Sequence, residues 1–183
     1  KKNKNSRISS LANANLKTIA VRFPKNKIIR TLLKKLKFPL AIPSANISSA
    51  ISPVSCNDVL DEFGKKIKFV LDGGSAKIGL ESTVINLYGK TQILRPGLIT
   101  KNQISQVLNK KIKIQKKTDK IISPGLLKRH YSPGIPVKLN CKTKEDKAAF
   151  IVFGKMYKYN YKDIFNLSKF GVLVEAARKL YKT

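Results

Sequence analysis

The sequence predicts an α/β or mixed α+β chain, and three observations carry that expectation. Short apolar runs alternate with segments of helical periodicity along most of its 183 residues. Small polar residues, glycine and proline punctuate the junctions between them. Apolar residues make up 42 %, enough for a buried core and too many for wholesale disorder.

The elements follow in order. Between Pro24 and Lys37, the residues Ile28, Ile29, Leu32, Leu33 and Leu36 recur at 3.6-residue spacing, an amphipathic helix with Pro24 suited to its first turn. Residues 38–42 form a short apolar run that enters the polar loop Pro43-Ser-Ala-Asn46, as a buried strand does. Ser55 can cap the next helix with Asp58 three residues on, and Gly64 stops it. Ile67 to Leu71 reads as a second apolar strand closed by Asp72-Gly-Gly74. Thr83 to Tyr88 and Gln92 to Leu94 are predicted as a hairpin around Gly89-Lys90. Thr100 caps a helix to about Leu108, with Gln103 at the capping-box position. Residues 110–121 lose this pattern and read as a charged linker, followed by the turn-rich Ser123 to Gly134. A strand at Ala148 to Phe153 and a helix at Val172 to Leu180 then begin a second, smaller unit.

Lysine and arginine total 38 against 10 acids, a net charge of +28. Such a charge favours solubility and non-specific attraction to polyanions but does not determine a fold. The lysines are spread from Lys1 to Lys182, and the dense run Lys110 to Lys120 holds no aromatic residue. A dedicated RNA surface concentrates charge on one face and interleaves aromatics for stacking. The charge therefore reads as solvated and compositional. No run approaches the roughly 20 apolar residues of a membrane span. Basic residues at Lys1 to Arg7 precede no apolar stretch of the signal-peptide kind. Cys56 and Cys141 stand far apart without metal spacing and read as reduced thiols of a cytoplasmic protein.

Four polar segments follow apolar ones: Thr18 to Arg22, Pro43 to Asn46 with Ser52-Pro53, Glu81 to Thr83, and Arg95 to Gly97. Ligands of α/β sheets sit where loops leave the carboxyl ends of strands. Small hydroxyl and amide groups there bind phosphate or carboxylate without bulk, and Arg22 and Arg95 suit bidentate contacts to an anion. The same serines and asparagines also serve as caps and turn residues, and such arginines as solvated charge. The chain has a single histidine, His130, which reads as structural. One histidine and two distant cysteines make no zinc set, and the sequence contains no P-loop, Gly-x-Gly-x-x-Gly or Gly-x-Ser-x-Gly pattern. Residues alone leave an α/β domain with an anion site.

In these segments the chain resembles the YrdC-type threonylcarbamoyl-AMP synthases. The carrying motifs are Thr-Ile-Ala-Val-Arg-Phe-Pro (18–24), Pro-Leu-Ala-Ile-Pro-Ser-Ala-Asn (39–46), Ser-Pro (52–53), Leu-Asp-Gly-Gly (71–74), Gly-Leu-Glu-Ser-Thr-Val (79–84) and Leu-Arg-Pro-Gly (94–97). Ser-Pro-Gly-Leu-Leu-Lys-Arg-His-Tyr-Ser-Pro (123–133) resembles the linker of the longer, two-domain members, and residues 166–181 resemble their C-terminal domain. The resemblance implies the C-terminal portion of a YrdC-like catalytic domain at 1–109, a twisted open mixed sheet with helices, then a linker at 110–137 and the start of a smaller, truncated Rossmann-like α/β domain at 138–183. It implies a nucleotidyltransferase that makes threonylcarbamoyl-adenylate and pyrophosphate from ATP, L-threonine and bicarbonate, for threonylcarbamoyladenosine in tRNA. By motif position, Thr18, Ser44, Ser52, Arg95 and Tyr131 contact ATP, while Arg22, the Ile42 backbone and Ser82 contact threonine. Asn46 helps order the phosphates or their Mg2+, and no residue is assigned as a nucleophile or resident metal ligand.

The family's Lys-x-Arg element does not occur ahead of these motifs. The expectation is an internal fragment that holds one wall of the site and does not turn over alone. Two alternatives stand beside the synthase: a module of the same fold that binds double-stranded RNA or tRNA, weakly if only by charge, and a carbamoyl-transfer relative. The 123–133 motif argues against the latter.

Overall fold

The computed structural model describes residues 3, 5, 6, 8–116, 132–155 and 162–182. They fall into two compact units, Lys1–Ser44 with Glu81–Lys128, and Ala45–Leu80 with Arg129–Thr183. Among the described residues, helices interleave with one small mixed sheet and one parallel strand pair, as the sequence predicts.

In the first unit, Ser10–Asn13 form a 3-10 turn and helix α1 runs over Lys27–Lys35. The helix begins later than Pro24 suggests, because the Asn26 side chain caps it, accepting from Ile28 N (2.9 Å) and Ile29 N (3.2 Å). That cap satisfies two amides of the first turn that have no helical acceptor. Half-buried Ile29, Leu33 and Leu36 mark the inward face. The Arg30 guanidinium lies 5.2 Å from the Phe23 ring centroid, a cation–π contact between α1 and the segment that carries Arg22.

Strands β1 (Val84–Asn86) and β2 (Gln92–Arg95) make the expected antiparallel hairpin, with a bulge between Val84 and Ile85. Asn86 closes its turn, donating from Nδ2 to the Tyr88 and Lys90 carbonyls, both at 2.9 Å. Helix α3 (Lys101–Val107), which follows α2 (Cys56–Phe63) of the other unit in chain order, carries the full capping box of Thr100 and Gln103. It leads into β3 (Lys113–Ile114), parallel to β2, giving the sheet order β1-β2-β3. Residues 113–114 are thus a strand where the charge pattern reads as linker. Ile112, 1 % exposed beside equally buried Ile93, is the apolar signal that the lysines around it obscure.

In the second unit, α2 (Cys56–Phe63) has the predicted capping box. Ser55 Oγ accepts from Asp58 N at 3.2 Å, while Asp58 Oδ2 accepts from Ser55 N at 3.0 Å and Val54 N at 2.8 Å. Gly64 ends the helix with a positive φ of 50°. Parallel strands β4 (Phe150–Val152) and β5 (Ile164–Asn166) precede helix α4 (Leu173–Lys179). Among the described residues, Val54, Phe150, Val152 and Ala176 are the buried apolar side chains of this unit. Strand β5 escaped the sequence reading because its apolar run is only Ile164-Phe165, between Asp163 and Asn166.

Two predicted strands are not strands. Residues 38–42 and 67–71 pair with no neighbour among the described residues, and they expose Phe38, Ile42, Phe69 and Leu71. An apolar run needs a partner's backbone to become a strand.

Candidate functional site

The loop before Thr18 is stitched by Asn13, whose residue is 9 % exposed. Its Nδ2 donates to the Leu16 carbonyl and, at 3.1 Å, to the Thr18 carbonyl, while Ala14 and Asn15 take positive φ of 49° and 56°. These bonds set where Thr18 leaves the loop. Asn13 Oδ1 is buried without a hydrogen-bond partner. Thr18 is half-buried, whereas Arg22, Ile42 and Ser44 are exposed.

Ser82 and Arg95 are brought together. Arg95, at the end of β2, donates from Nε (3.1 Å) and Nη2 (2.9 Å) to the Ser82 carbonyl. Glu81 Oε2 lies 3.6 Å from Arg95 Nη2, with the two side chains 12 % and 19 % exposed for Arg95 and Glu81. A guanidinium has five N–H donors, and Nε and Nη2 both turn to this one carbonyl. Thr83 Oγ1 donates to the Ile99 carbonyl at 2.8 Å. A Cβ at Gly97 would sit 2.4 Å from Thr83 N and 2.5 Å from the Glu81 carbonyl oxygen. Only glycine allows this approach of two backbones.

In the second unit, Asn46 and Ser52 bracket one loop, both half-buried. Asn46 Nδ2 donates to the Ile47 (2.8 Å) and Ala50 (3.1 Å) carbonyls, and its Oδ1 is buried with no hydrogen-bond partner. With both donors turned to backbone, Asn46 offers a ligand an acceptor, which suits a cation or a donor group rather than a phosphate oxygen. The Ile47 amide donates to the Glu62 carboxylate, joining the loop to α2. Ser49 has a φ of 72°, and its carbonyl accepts from the Ser132 amide at 2.9 Å. Tyr131 and His130 lie outside the described residues. No group of three or more His, Cys, Asp or Glu that would hold a metal occurs among the described residues.

The motif reading passed over Asn13 and gave Glu81, although part of the Glu81 to Thr83 segment, no role of its own. Asn13 lies in an Asn-Ala-Asn stretch with no periodic signal, and Glu81 looks like any surface acid until its distance to Arg95 is known.

The Sua5–YciO–YrdC family model, described as "Telomere recombination", matches residues 1–97. The chain belongs to this family. A second model, "Threonylcarbamoyl-AMP synthase, C-terminal domain", matches residues 99–183. A threonylcarbamoyl-AMP synthase of Pyrococcus abyssi is 35 % identical over 187 residues, covering 91 % of this chain and 54 % of the relative. One of Bacillus subtilis is 33 % identical over 150 residues, covering 79 % and 43 %. The chain thus spans about half the length of the curated relatives it matches. The crystal structure of P. abyssi Sua5 complexed with L-threonine aligns with a TM-score of 0.76 at 28 % identity, covering 96 % of this chain and 56 % of that one. The fold of this Sua5–YciO–YrdC member is therefore that of a solved relative, as the sequence motifs imply. No described helix is long and apolar enough to cross a membrane.

Proposed function

We propose that this chain is part of a cytoplasmic L-threonylcarbamoyladenylate synthase, a nucleotidyltransferase serving tRNA modification. Relatives that carry that name favour it over the RNA-binding alternative. The solved relative was crystallised with L-threonine, which supports threonine as a substrate class here. The observation that carries the reading is the junction of Ser82 and Arg95, one residue assigned to threonine and one to ATP, bound through the Ser82 carbonyl.

The product links a carbamoyl oxygen to the α-phosphorus of AMP. Threonine and bicarbonate therefore combine to a carbamate with loss of water, the carbamate oxygen attacks the α-phosphorus, and the bond to the β-phosphate oxygen breaks to release pyrophosphate. No covalent protein nucleophile is needed; positioning and charge stabilisation suffice. Arg22, the Ile42 backbone and Ser82 hold threonine, and Thr18, Ser44, Ser52 and Arg95 hold ATP. Tyr131, which lies outside the described residues, is assigned to ATP by its motif. A variant of the P. abyssi relative with an adjacent histidine and tyrosine replaced by alanine has been solved, and this chain carries His130-Tyr131. Asn46 Oδ1, an acceptor with no hydrogen-bond partner, would help hold a Mg2+ arriving with the triphosphate, and that ion would supply neutralisation of phosphate charge. The division at 1–109, 110–137 and 138–183 is retained as catalytic portion, linker and start of the C-terminal domain, except that residues 113–114 pair with β2 as strand β3.

The test is pyrophosphate release from ATP by the full-length protein, with and without threonine and bicarbonate. Release that needs both supports the synthase. A folded, ATP-binding protein that releases none, or releases it without threonine, overturns it.

A further inference from the structure

Glu81 is one of only 10 acids in a chain of net charge +28. It sits beside the arginine assigned to a polyanionic substrate. A carboxylate there repels phosphate, so charge alone gives it no place in an ATP site. Its geometry gives it one. Glu81 Oε2 lies 3.6 Å from Nη2 of Arg95, longer than a hydrogen bond, so the interaction is chiefly electrostatic. Arg95 is largely withdrawn from water and makes its fork to the Ser82 carbonyl through Nε and the same Nη2. Behind this pair, the backbones of Glu81 to Thr83 and Gly97 approach too closely to admit a methyl group. The segment that carries Ser82 and the strand end that carries Arg95 thus form a rigid corner, and the guanidinium is aimed by its acid neighbour.

We propose that Glu81 is a positioning residue. It orients Arg95 so that one guanidinium fixes the Ser82 carbonyl on the threonine side and keeps its charge beside the nucleotide. This rests on the synthase reading, and it predicts that one substitution at Glu81 alters both substrates together.

The experiment measures KM for ATP and for L-threonine, and kcat, from threonine-dependent pyrophosphate release by the full-length protein, beside its thermal midpoint. Glu81→Gln is expected to raise both KM values about ten-fold, the scale of one misdirected charge-assisted contact, with kcat and the midpoint moving little. Glu81→Asp, which keeps the charge, is expected to recover part of both, and it carries the test if Glu81→Gln fails to fold. A lower KM for ATP alone means that Glu81 acts only by repulsion, and overturns the proposal. So do unchanged KM values with a lowered midpoint, the sign of a purely structural staple. A wild-type protein without threonine-dependent release removes the synthase reading itself, an outcome distinct from active wild type with an unaltered Glu81→Gln variant.

Discussion

Asn13 Nδ2 donates to the main-chain oxygen of Thr18 at 3.1 Å, across five residues and two left-handed positions. One buried side chain thereby sets where the chain emerges from its first loop and turns towards Arg22. Asn13→Ala leaves the Leu16 and Thr18 carbonyls without their donor and is expected to cost about 1–3 kcal/mol. Urea unfolding of the full-length protein measures this, and a midpoint equal to wild type would show that the loop holds without Asn13.

Gly97→Ala places a Cβ 2.4 Å from Thr83 N and 2.7 Å from the Ser82 carbonyl carbon. Neither atom belongs to a side chain that can rotate away. Backbone must shift, at a cost of about 1–3 kcal/mol or more. The thermal midpoint should fall, and pyrophosphate release should fall with it because Ser82 and Arg95 are displaced. Gly89→Ala, with open space around its Cβ but a φ of 71°, serves as a control that strains a turn and leaves this corner intact.

The carboxyl of Asp58 is held below its ordinary value of about 3.8, first by the Val54 amide and then by Ser55, against the opposing effect of burial. A group whose pKa is depressed on folding contributes stability above its unfolded value and loses it as pH falls through the folded value. Stability from this helix cap is therefore intact at neutral pH and declines below about 3.8. Asp58→Asn should be less stable at pH 7 and show a flatter acid limb. Denaturant midpoints between pH 2 and 7 test this, and parallel curves for the two proteins would refute it.

Ser168 is fully buried, donating from Oγ to Glu175 Oε2 at 2.6 Å and accepting from Val172 N at 3.0 Å. Glu175 is held below the usual glutamate range by Lys179 first and Ser168 second. Ser168→Ala should cost about 1–3 kcal/mol from the orphaned Val172 amide and move Glu175 up towards its ordinary value. An NMR titration of the Glu175 carboxyl that superimposes on wild type would mean that Ser168 does not reach it.

Local signals were legible where the physics is local. Ser55 with Asp58, Thr100 with Gln103, and the turn at Gly89 each satisfy backbone groups within a few residues, and each appears where the sequence places it. The apolar runs at 38–42 and 67–71 are a different case, because a strand depends on a neighbour distant in sequence. β3 makes the converse point: two residues in a lysine run become a strand because β2 lies beside them.

The site divides in the same way. Sequence by itself determined the family, the helices, the caps at Ser55 and Thr100, and which segments carry the residues assigned to ATP and threonine. Residue order and spacing suffice for these, since capping and periodicity act over one or two turns. Tertiary structure alone decided that Arg95 grips the Ser82 carbonyl, that Glu81 stands behind it, that Gly97 must be glycine, and that Asn13 ties down Thr18. Each is a directional contact of a few ångströms, made through rotamers and backbone approaches that no linear pattern encodes.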